Sequence, residues 1–534
     1  MSSQTASSSS RKSRSRAAVR DFREASESAV PRRQKLIATA AALTLIWSTW
    51  ALTASTAFTL VVATGLAALT FACLFLPVGT PDSAASAKRN CARLMKFPLF
   101  WVGLALGIYM AVQACIPGAE LIWQGTRWRV HLLEEAPGWL PTGIDGGFGF
   151  ESQEGMNAWR QLCIFGTPWL LLCALWCGLR SRTLWKILLW SVLLNAVVLA
   201  GFGLYRSAFG IYTYLGETKY QFFSVFSYKN HAGAFFVLAM AVCAGLGLRS
   251  WRNSALAGKH GGAYLILLIF GLLFLGAAFA TKSVGAVFLG VLWLPLIVVL
   301  ICCSGLMTRA SWITAAVFLS MLLCVAGTWW ATANTELFFS RVDKKVADGE
   351  LPDIERVIHH EEQGDVRDEL AETFSLDKGP RADLRKLSAK MFHYNTHAEI
   401  FGWGAGSYRW VAPAFQLTMP EFAKVNKRSG KIYLPTRTAY AHCDPWQFLV
   451  EWGSIGAGIF FVGVLWFWGF ALWNFRRWRA SSVALLAGIG IFSAHACVEF
   501  VSFNPALLLS VALLAAAFKA DLSRESRLKA EIKD

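Results

Sequence analysis

Four residues that are positively charged, or can become so, are candidates for chemistry. Three of them lie where an apolar run meets a polar segment, and the fourth lies within the longest polar segment. His442 begins the stretch A-H-C-D-P-W-Q-F-L-V-E-W-G-S-I-G, which leads from that segment into an apolar run. An imidazole titrates near neutral pH and can therefore orient or deprotonate a hydroxyl group. The other three are Lys229 in S-Y-K-N-H-A-G, Lys282 in T-K-S and Arg381 in R-A-D-L-R-K-L-S-A-K-M-F. Fixed cations of this kind stabilise negative charge that develops during a reaction.

Each of the four also has a structural interpretation that the sequence leaves open. Lys229 can extend from a helix end to the lipid headgroups. Lys282 has almost no loop around it, so its ammonium lies near the apolar boundary, where it needs a partner or a ligand. For Arg381, the sequence is as compatible with a solvated surface position as with a functional one. His442 can serve as a helix cap or as an interfacial histidine.

The composition indicates a membrane protein. The chain has 534 residues, 55% of them hydrophobic, with 24 Trp. Its formal charge of +17 is concentrated in the N-terminal tail and in short loops between apolar runs. That distribution fixes membrane orientation and argues against nucleic acid as a partner. No C-x-x-C pair occurs, and His359 and His360 lack the spacing of a metal-ligand set, so we predict neither a metal nor a cofactor.

Apolar runs of about 20 residues, the length that spans a bilayer, recur along the chain. The sequence therefore predicts an all-α polytopic membrane protein with about twelve transmembrane helices. The predicted spans are roughly 36–53, 56–77, 97–115, 160–178, 184–205, 231–248, 262–280, 284–303, 311–331, 447–473, 481–498 and 502–519.

The basic residues predict the orientation of these helices. With the N-terminus in the cytoplasm, all the short basic connections fall on the cytoplasmic side, and so does the C-terminal tail. The predicted divisions are a disordered basic tail (1–35), helices one to nine (36–331), one large outer loop with its own subdomain (332–446), helices ten to twelve (447–519) and a second cytoplasmic tail (520–534). Within the outer loop, the run G-W-G-A-G that includes Gly404 and Gly406 predicts a tight turn. It lacks the full fingerprint and the setting of a dinucleotide-binding loop.

Four strings together resemble a known family. They are F-S-Y-K-N-H-A-G-A-F-F, A-T-K-S-V-G-A-V-F-L, E-I-F-G-W-G-A-G-S-Y and the stretch that contains His442. Their order and spacing over roughly residues 200–475 resemble the O-antigen ligase and O-antigen polymerase superfamily, which are bacterial inner-membrane glycosyltransferases. The most specific part is the family's histidine, a polar residue, nine residues and G-x-x-G, which here are His442, Cys443, Gly453 and Gly456.

The resemblance implies a multi-pass protein of the bacterial inner membrane with a periplasmic active site. It implies inverting, metal-independent transfer of a glycan from undecaprenyl diphosphate to an acceptor hydroxyl, with both termini in the cytoplasm. His442 matches the family histidine that acts on the acceptor, and Arg381 matches an arginine that holds the diphosphate. Lys229 and Lys282 stand where many members have arginine, which grips a phosphate through a planar fork that lysine lacks. Asn230, Cys443, Gly404 and Gly406 are expected to support the site, and Arg206 to add a donor contact.

Three functions stay open at this point. The first is a ligase or polymerase of lipid-linked glycans, whose acceptor is another glycan or the lipid A core. The second is a protein O-oligosaccharyltransferase of the same architecture. The third is a transporter of lipid-linked glycans that carries out no chemistry. The chain shows no two similar halves of the kind that many transporters have, which favours an enzyme.

Overall fold

The structure is a computed structural model that describes residues 31–78, 83–123, 128–133, 137–145, 156–218, 222–256, 258, 262–283, 285–291, 293, 296, 380–425, 432–434 and 437–531. Most of the described chain is helical. Its first eight helices are α1 (Arg32–Trp50), α2 (Ala57–Ala72), α3 (Ser83–Met95), α4 (Pro98–Cys115), α5 (Ala158–Gly178), α6 (Arg182–Ala208), α7 (Lys229–Leu256) and α8 (Ala263–Ala280). After the long gap follow α9 (Pro380–Phe392), α10 (Thr396–Phe401), α11 (Tyr408–Gln416), α12 (Asp444–Trp473), α13 (Ala480–Ala496) and α14 (Pro505–Glu531).

Seven of the described helices are long and apolar enough to cross a membrane, which indicates a multi-pass membrane protein. These are α4, α5, α6, α7, α8, α12 and α14, while the apolar helices α2 and α13 are shorter. Most predicted spans coincide with a helix to within a few residues. Of the predicted span 284–303 only part is described, and 311–331 lies outside the described residues. The twelve-span arrangement therefore stays a prediction.

Short strands correct the prediction of an all-α chain. Between α4 and α5, β1 (Pro117–Trp123) pairs antiparallel with β2 (Trp128–Leu132) and parallel with β3 (Gly143–Asp145). Two-residue hairpins form at β4/β5 (Thr213–Tyr214 and Glu217–Thr218) and at β6/β7 (Lys424–Val425 and Ile432–Tyr433). These stretches are too short for a stable helix, and pairing satisfies their backbone groups where the chain leaves a membrane helix. The amphipathic helix α3 was likewise not predicted.

Helix α12 is interrupted at Gly453, and this break joins the glycine-rich turn to the membrane helices. Gly453 has φ 62° and ψ −172°, a conformation that interrupts the helical hydrogen bonds. The freed carbonyl groups of the preceding turn have partners from elsewhere. The Trp403 amide donates to Val450 O at 2.9 Å, and the Gly404 amide donates to Glu451 O at 3.0 Å. The break in α12 is therefore also the docking point of the glycine-rich turn.

The glycine-rich turn is as tight as the sequence predicts. Gly404 and Gly406 have φ of 98° and 80°. A Cβ on Gly404 would lie 2.6 Å from the Cα of Gly143, and a Cβ on Gly406 would lie 2.8 Å from the backbone nitrogen of Asn157. Only glycine fits such close backbone approaches. Their supporting role is therefore structural: they let the backbone of this turn pack directly against β3 and the start of α5.

The carboxylate of Glu451, buried in α12, holds this turn in place. It accepts hydrogen bonds from the Gly406 amide at 3.1 Å, the Tyr408 amide at 3.3 Å and the side chains of Gln161 and Gln447. Helices α9 and α11 then pack on one another and on α12 through an apolar core that includes Leu387, Met391, Tyr408, Val411 and Val450. Helices α9, α10 and α11 thus form a small helical unit fixed to α12.

Substitution of Gly453 by alanine tests this arrangement. A Cβ at this position would lie 2.4 Å from Ile400 O and 2.5 Å from the Gly402 amide nitrogen, in a conformation that only glycine adopts readily. We expect Gly453→Ala to destabilise the protein by roughly 1–3 kcal/mol or more, measured as a lower Tm of the purified protein in detergent. Gly458→Ala on the same helix, where nothing lies within 4 Å of the added Cβ, is the matched control. Equal Tm values for the two variants would contradict the prediction.

Candidate functional site

A buried carboxylate, Glu499, collects the polar side chains at one end of the bundle. It follows α13 and precedes a 3₁₀ turn (Val501–Phe503), with 1% of its side chain exposed. Its Oε1 accepts hydrogen bonds from His442 Nδ1 at 2.5 Å and from Arg381 Nη2 at 3.4 Å. Its Oε2 accepts from the Tyr228 hydroxyl and from Asn230 Nδ2, both at 3.0 Å. Segments far apart in sequence therefore meet at one side chain.

The charge of Glu499 is stabilised by these partners. Burial by itself raises the pKa of this carboxyl group, but the charge of His442, the hydrogen bond from its ring and the charge of Arg381 together outweigh burial. The pKa of Glu499 is consequently held well below its ordinary value of 4.5. At neutral pH the side chain is a carboxylate, and it only accepts hydrogen bonds.

This pairing sets the chemistry of His442. Since Glu499 accepts at Nδ1, that nitrogen carries a hydrogen, and when the ring holds only this one its lone pair is on Nε2. The ring packs edge-on against Phe500, with 4.9 Å between centroids, and 30% of the side chain stays exposed. The backbone of His442 has a φ of 47°, in the left-handed region that few non-glycine residues adopt. An oriented, accessible imidazole beside a carboxylate can take a proton from a hydroxyl group.

Arg381, the second residue of α9, approaches the same carboxylate. Its side chain is 24% exposed, and among the described residues its hydrogen bond to Glu499 uses only one Nη atom. A guanidinium has five N–H donors in a planar fork. The remaining donors can bind the oxygen atoms of an anionic ligand in a bidentate fashion.

The two lysines lie next to this cluster. Lys229 is the first residue of α7, between Tyr228 and Asn230, and is half-buried. Lys282 is exposed, has a φ of 55° and lies in the turn after α8. That turn is packed against the start of α7, since a Cβ on Gly233 would lie 3.2 Å from Thr281 Oγ1. Both lysines are therefore held at the end of the bundle that carries Glu499.

Two predicted residues have structural roles. Arg206 is 3% exposed and donates to the carbonyl oxygens of Ile211, Thr213 and Ser224, so its guanidinium closes the loop after α6 instead of facing the cluster. Cys443 is buried at the N-cap of α12, and burial raises the pKa of its thiol to about 11. The thiol is thus protonated at neutral pH and is no nucleophile.

A cavity of about 270 Å³ adjoins the cluster and shares Tyr228 and Phe500 with it. Tyr440 stacks on Phe500 with 4.1 Å between ring centroids and an interplanar angle of 3°. Arg160, buried at the start of α5, also lines the cavity and donates to Ser55 O. None of the described residues that line the cavity is acidic. Its flat aromatic wall and its guanidinium suit a sugar that carries polar or anionic groups.

Of the residues that the sequence predicts for this end of the molecule, His442, Arg381 and Asn230 contact Glu499 directly. Lys229 lies between Tyr228 and Asn230 in the chain, and Lys282 lies in a turn that packs against the start of α7. The structure also shows two participants that were not predicted, Glu499 and Tyr228. A signal for Glu499 was present, because an acidic residue between two closely spaced apolar helices needs a partner. Comparisons with models of known protein families and with curated proteins find no match.

The lowered pKa of Glu499 predicts how stability depends on pH. As pH falls, the carboxyl group of Glu499 is protonated in the unfolded chain before it is protonated in the folded protein. The stabilisation is therefore complete above about pH 5 and is lost as pH falls below 4.5. Glu499→Gln should therefore destabilise the protein by about 2 kcal/mol near neutral pH, with the Tm difference from wild type shrinking progressively as pH falls below 4.5 toward the lowered pKa of the folded state. The exposed Glu421→Gln should follow the wild-type curve. A Tm difference for Glu499→Gln that is the same at all pH values would contradict the prediction.

Proposed function

We propose that the chain transfers a glycan from undecaprenyl diphosphate to an acceptor hydroxyl, with inversion at the anomeric carbon and without a metal ion or nucleotide. The observation that supports this most directly is the pair of His442 and buried Glu499, with Arg381 on the same carboxylate. The pair forms an oriented base, and the cations beside it can hold a diphosphate. The resemblance of the sequence to O-antigen ligases and polymerases agrees with this chemistry. We place the site on the periplasmic side of the bacterial inner membrane, with both termini in the cytoplasm.

In the proposed reaction the acceptor oxygen attacks the anomeric carbon as His442 Nε2 takes its proton. The bond from the anomeric carbon to the bridging phosphate oxygen breaks, and undecaprenyl diphosphate leaves with the electron pair. Glu499 stabilises the imidazolium that forms, as a carboxylate does beside a catalytic histidine. Arg381, Lys282 and Lys229 stabilise the negative charge on the leaving diphosphate. A single displacement inverts the configuration of the sugar.

We propose the cavity beside Phe500 as the acceptor site. Phe500 lines this cavity and packs against the ring of His442, and the lining also contains the aromatic rings of Tyr228 and Tyr440, the kind of side chain against which sugars pack. The acceptor can be a growing glycan, the lipid A core or a protein hydroxyl, since each presents a nucleophilic oxygen. The ligase or polymerase is the function we favour, and the protein oligosaccharyltransferase is the alternative that uses the same residues.

Transfer in proteoliposomes that contain undecaprenyl-diphosphate glycan, with EDTA and single acceptors added, tests the proposed base. We expect His442→Ala to lower the transfer rate by about 10²–10⁴-fold, the usual contribution of a general base, and Glu499→Gln to lower it by about 10²-fold. His393→Ala is the matched control, because His393 forms the same kind of pair with Glu399 at 2.7 Å but is exposed. A ladder of products would indicate a polymerase and a single band a ligase.

Two outcomes would contradict the proposal. Unchanged transfer by a folded His442→Ala variant would remove the proposed base. Translocation of the lipid-linked glycan by the wild type, without transfer to any acceptor, would indicate a transporter instead.

Lys282 tests the donor half of the site separately. If its ammonium binds the diphosphate in the ground state, Lys282→Ala should raise the KM for the lipid donor by about tenfold or more and leave the KM for the acceptor unchanged. Lys386→Ala is the control, since Lys386 is exposed and paired with Asp383 at 3.2 Å. Equal donor KM values for Lys282→Ala and wild type would exclude such a contact.

A further inference from the structure

A second polar cavity lies at the opposite end of the bundle. Helix α7 begins beside Glu499 and reaches Arg249 about 20 residues later, which places Arg249 about 30 Å from the cluster. Arg249 lines a cavity of about 140 Å³ together with Arg180, Arg182, Lys519 and Asp521. The cavity is formed by the junction of α5 and α6, the second half of α7, the start of α13 and the end of α14.

Basic side chains outnumber acidic ones in this cavity, because four basic residues line it and its one carboxylate is that of Asp521. The ammonium of Lys519 donates to Trp176 O at 2.7 Å, so the guanidinium groups are the donors for a ligand. The Asp521 carboxylate already accepts hydrogen bonds from Ser481 Oγ at 2.8 Å and from Ser482 Oγ at 2.6 Å. Arg249 is half-buried, and the charges that act on it are those of Asp521, Arg182 and Arg479. Partly buried like charges repel one another unless a counter-ion lies among them. The cavity is therefore electrostatically suited to an anion.

The type of anion follows from the donors and from the cavity wall. Guanidinium groups bind phosphate oxygens through paired N–H donors. Behind the charged residues the wall is apolar, formed by Trp185, Leu189, Leu246 and Leu485. A basic pocket between membrane helices with such a wall suits a phosphate that is attached to an acyl chain.

We propose that this cavity binds the phosphate group of an anionic phospholipid in the leaflet opposite the Glu499 cluster. In this proposal the ligand's phosphate lies between Arg249 and Arg182, and its acyl chain leaves the cavity along the apolar side chains of its wall. A soluble phosphate compound would use the same donors but not the apolar wall. This inference does not rest on the proposed transferase activity, since none of the residues of the Glu499 cluster lines the cavity.

The test uses the full chain in nanodiscs of phosphatidylcholine alone or with phosphatidylglycerol, and in detergent with inorganic phosphate. Phosphatidylglycerol should raise the Tm of the wild type by several degrees and be retained in native mass spectra, as binding to the folded state requires. Arg249→Gln should weaken the retained binding by about tenfold or more, the effect of losing a charge-assisted contact. Arg252→Gln is the matched control, because Arg252 lies exposed on the same helix and does not line the cavity.

The outcomes separate the two sources of phosphate. Stabilisation by phosphatidylglycerol but not by inorganic phosphate supports a lipid, and equal stabilisation by inorganic phosphate alone would overturn the lipid in favour of a soluble phosphate. If Arg249→Gln does not fold, Arg182→Gln removes a second cation from the same cavity. Equal phosphatidylglycerol binding by wild type and by a folded variant of either arginine would overturn the site.

Discussion

Glu499 is a carboxylate with almost no contact with solvent, and a buried charge costs several kcal/mol unless partners compensate it. Its compensation comes from α7 through Asn230, from α9 through Arg381 and from the residues just before α12 through His442. The chain between α7 and α9 exceeds 100 residues, and α9 and His442 are about 50 residues apart. The need to satisfy one charge thus fixes the relative positions of three parts of the molecule, and the same contacts orient the histidine.

A second constraint operates about two and a half turns into α12, where the helix is interrupted at Gly453. The carbonyl groups freed there need donors, and the glycine-rich turn supplies them. Glu451 and the side chain of Tyr109, which donates to the carbonyl oxygens of Phe401 and Trp452, complete the junction. Helices α9 to α11 are consequently attached to α12 by backbone hydrogen bonds. This attachment fixes the position of the Arg381 guanidinium, which an exposed loop would leave variable.

Sequence reasoning recovers the seven long apolar helices of the described chain, because length and hydropathy are local properties. It also predicts one membrane side for His442, Arg381 and the two lysines from charge bias and helix count, and that orientation stays a prediction. It misses Glu499, whose importance depends on tertiary hydrogen bonds that no periodicity records. For the same reason it wrongly predicts a donor contact for Arg206. The loop after α6 folds so that its carbonyl groups accept hydrogen bonds from the guanidinium, and the spacing of the residues does not indicate this conformation.

The backbone of His442 has a further consequence. A side chain at φ 47° is held in a conformation that costs of order 1 kcal/mol, and the surrounding contacts keep it there. Glycine or asparagine would relieve this strain, since both tolerate the left-handed region, but either would remove the ring that pairs with buried Glu499. The strain of about 1 kcal/mol is smaller than the several kcal/mol that an uncompensated buried charge costs. The ion pair that orients the ring for the proposed chemistry therefore also holds the backbone in its strained conformation, and a substitution that relaxes the backbone here loses stability and function together.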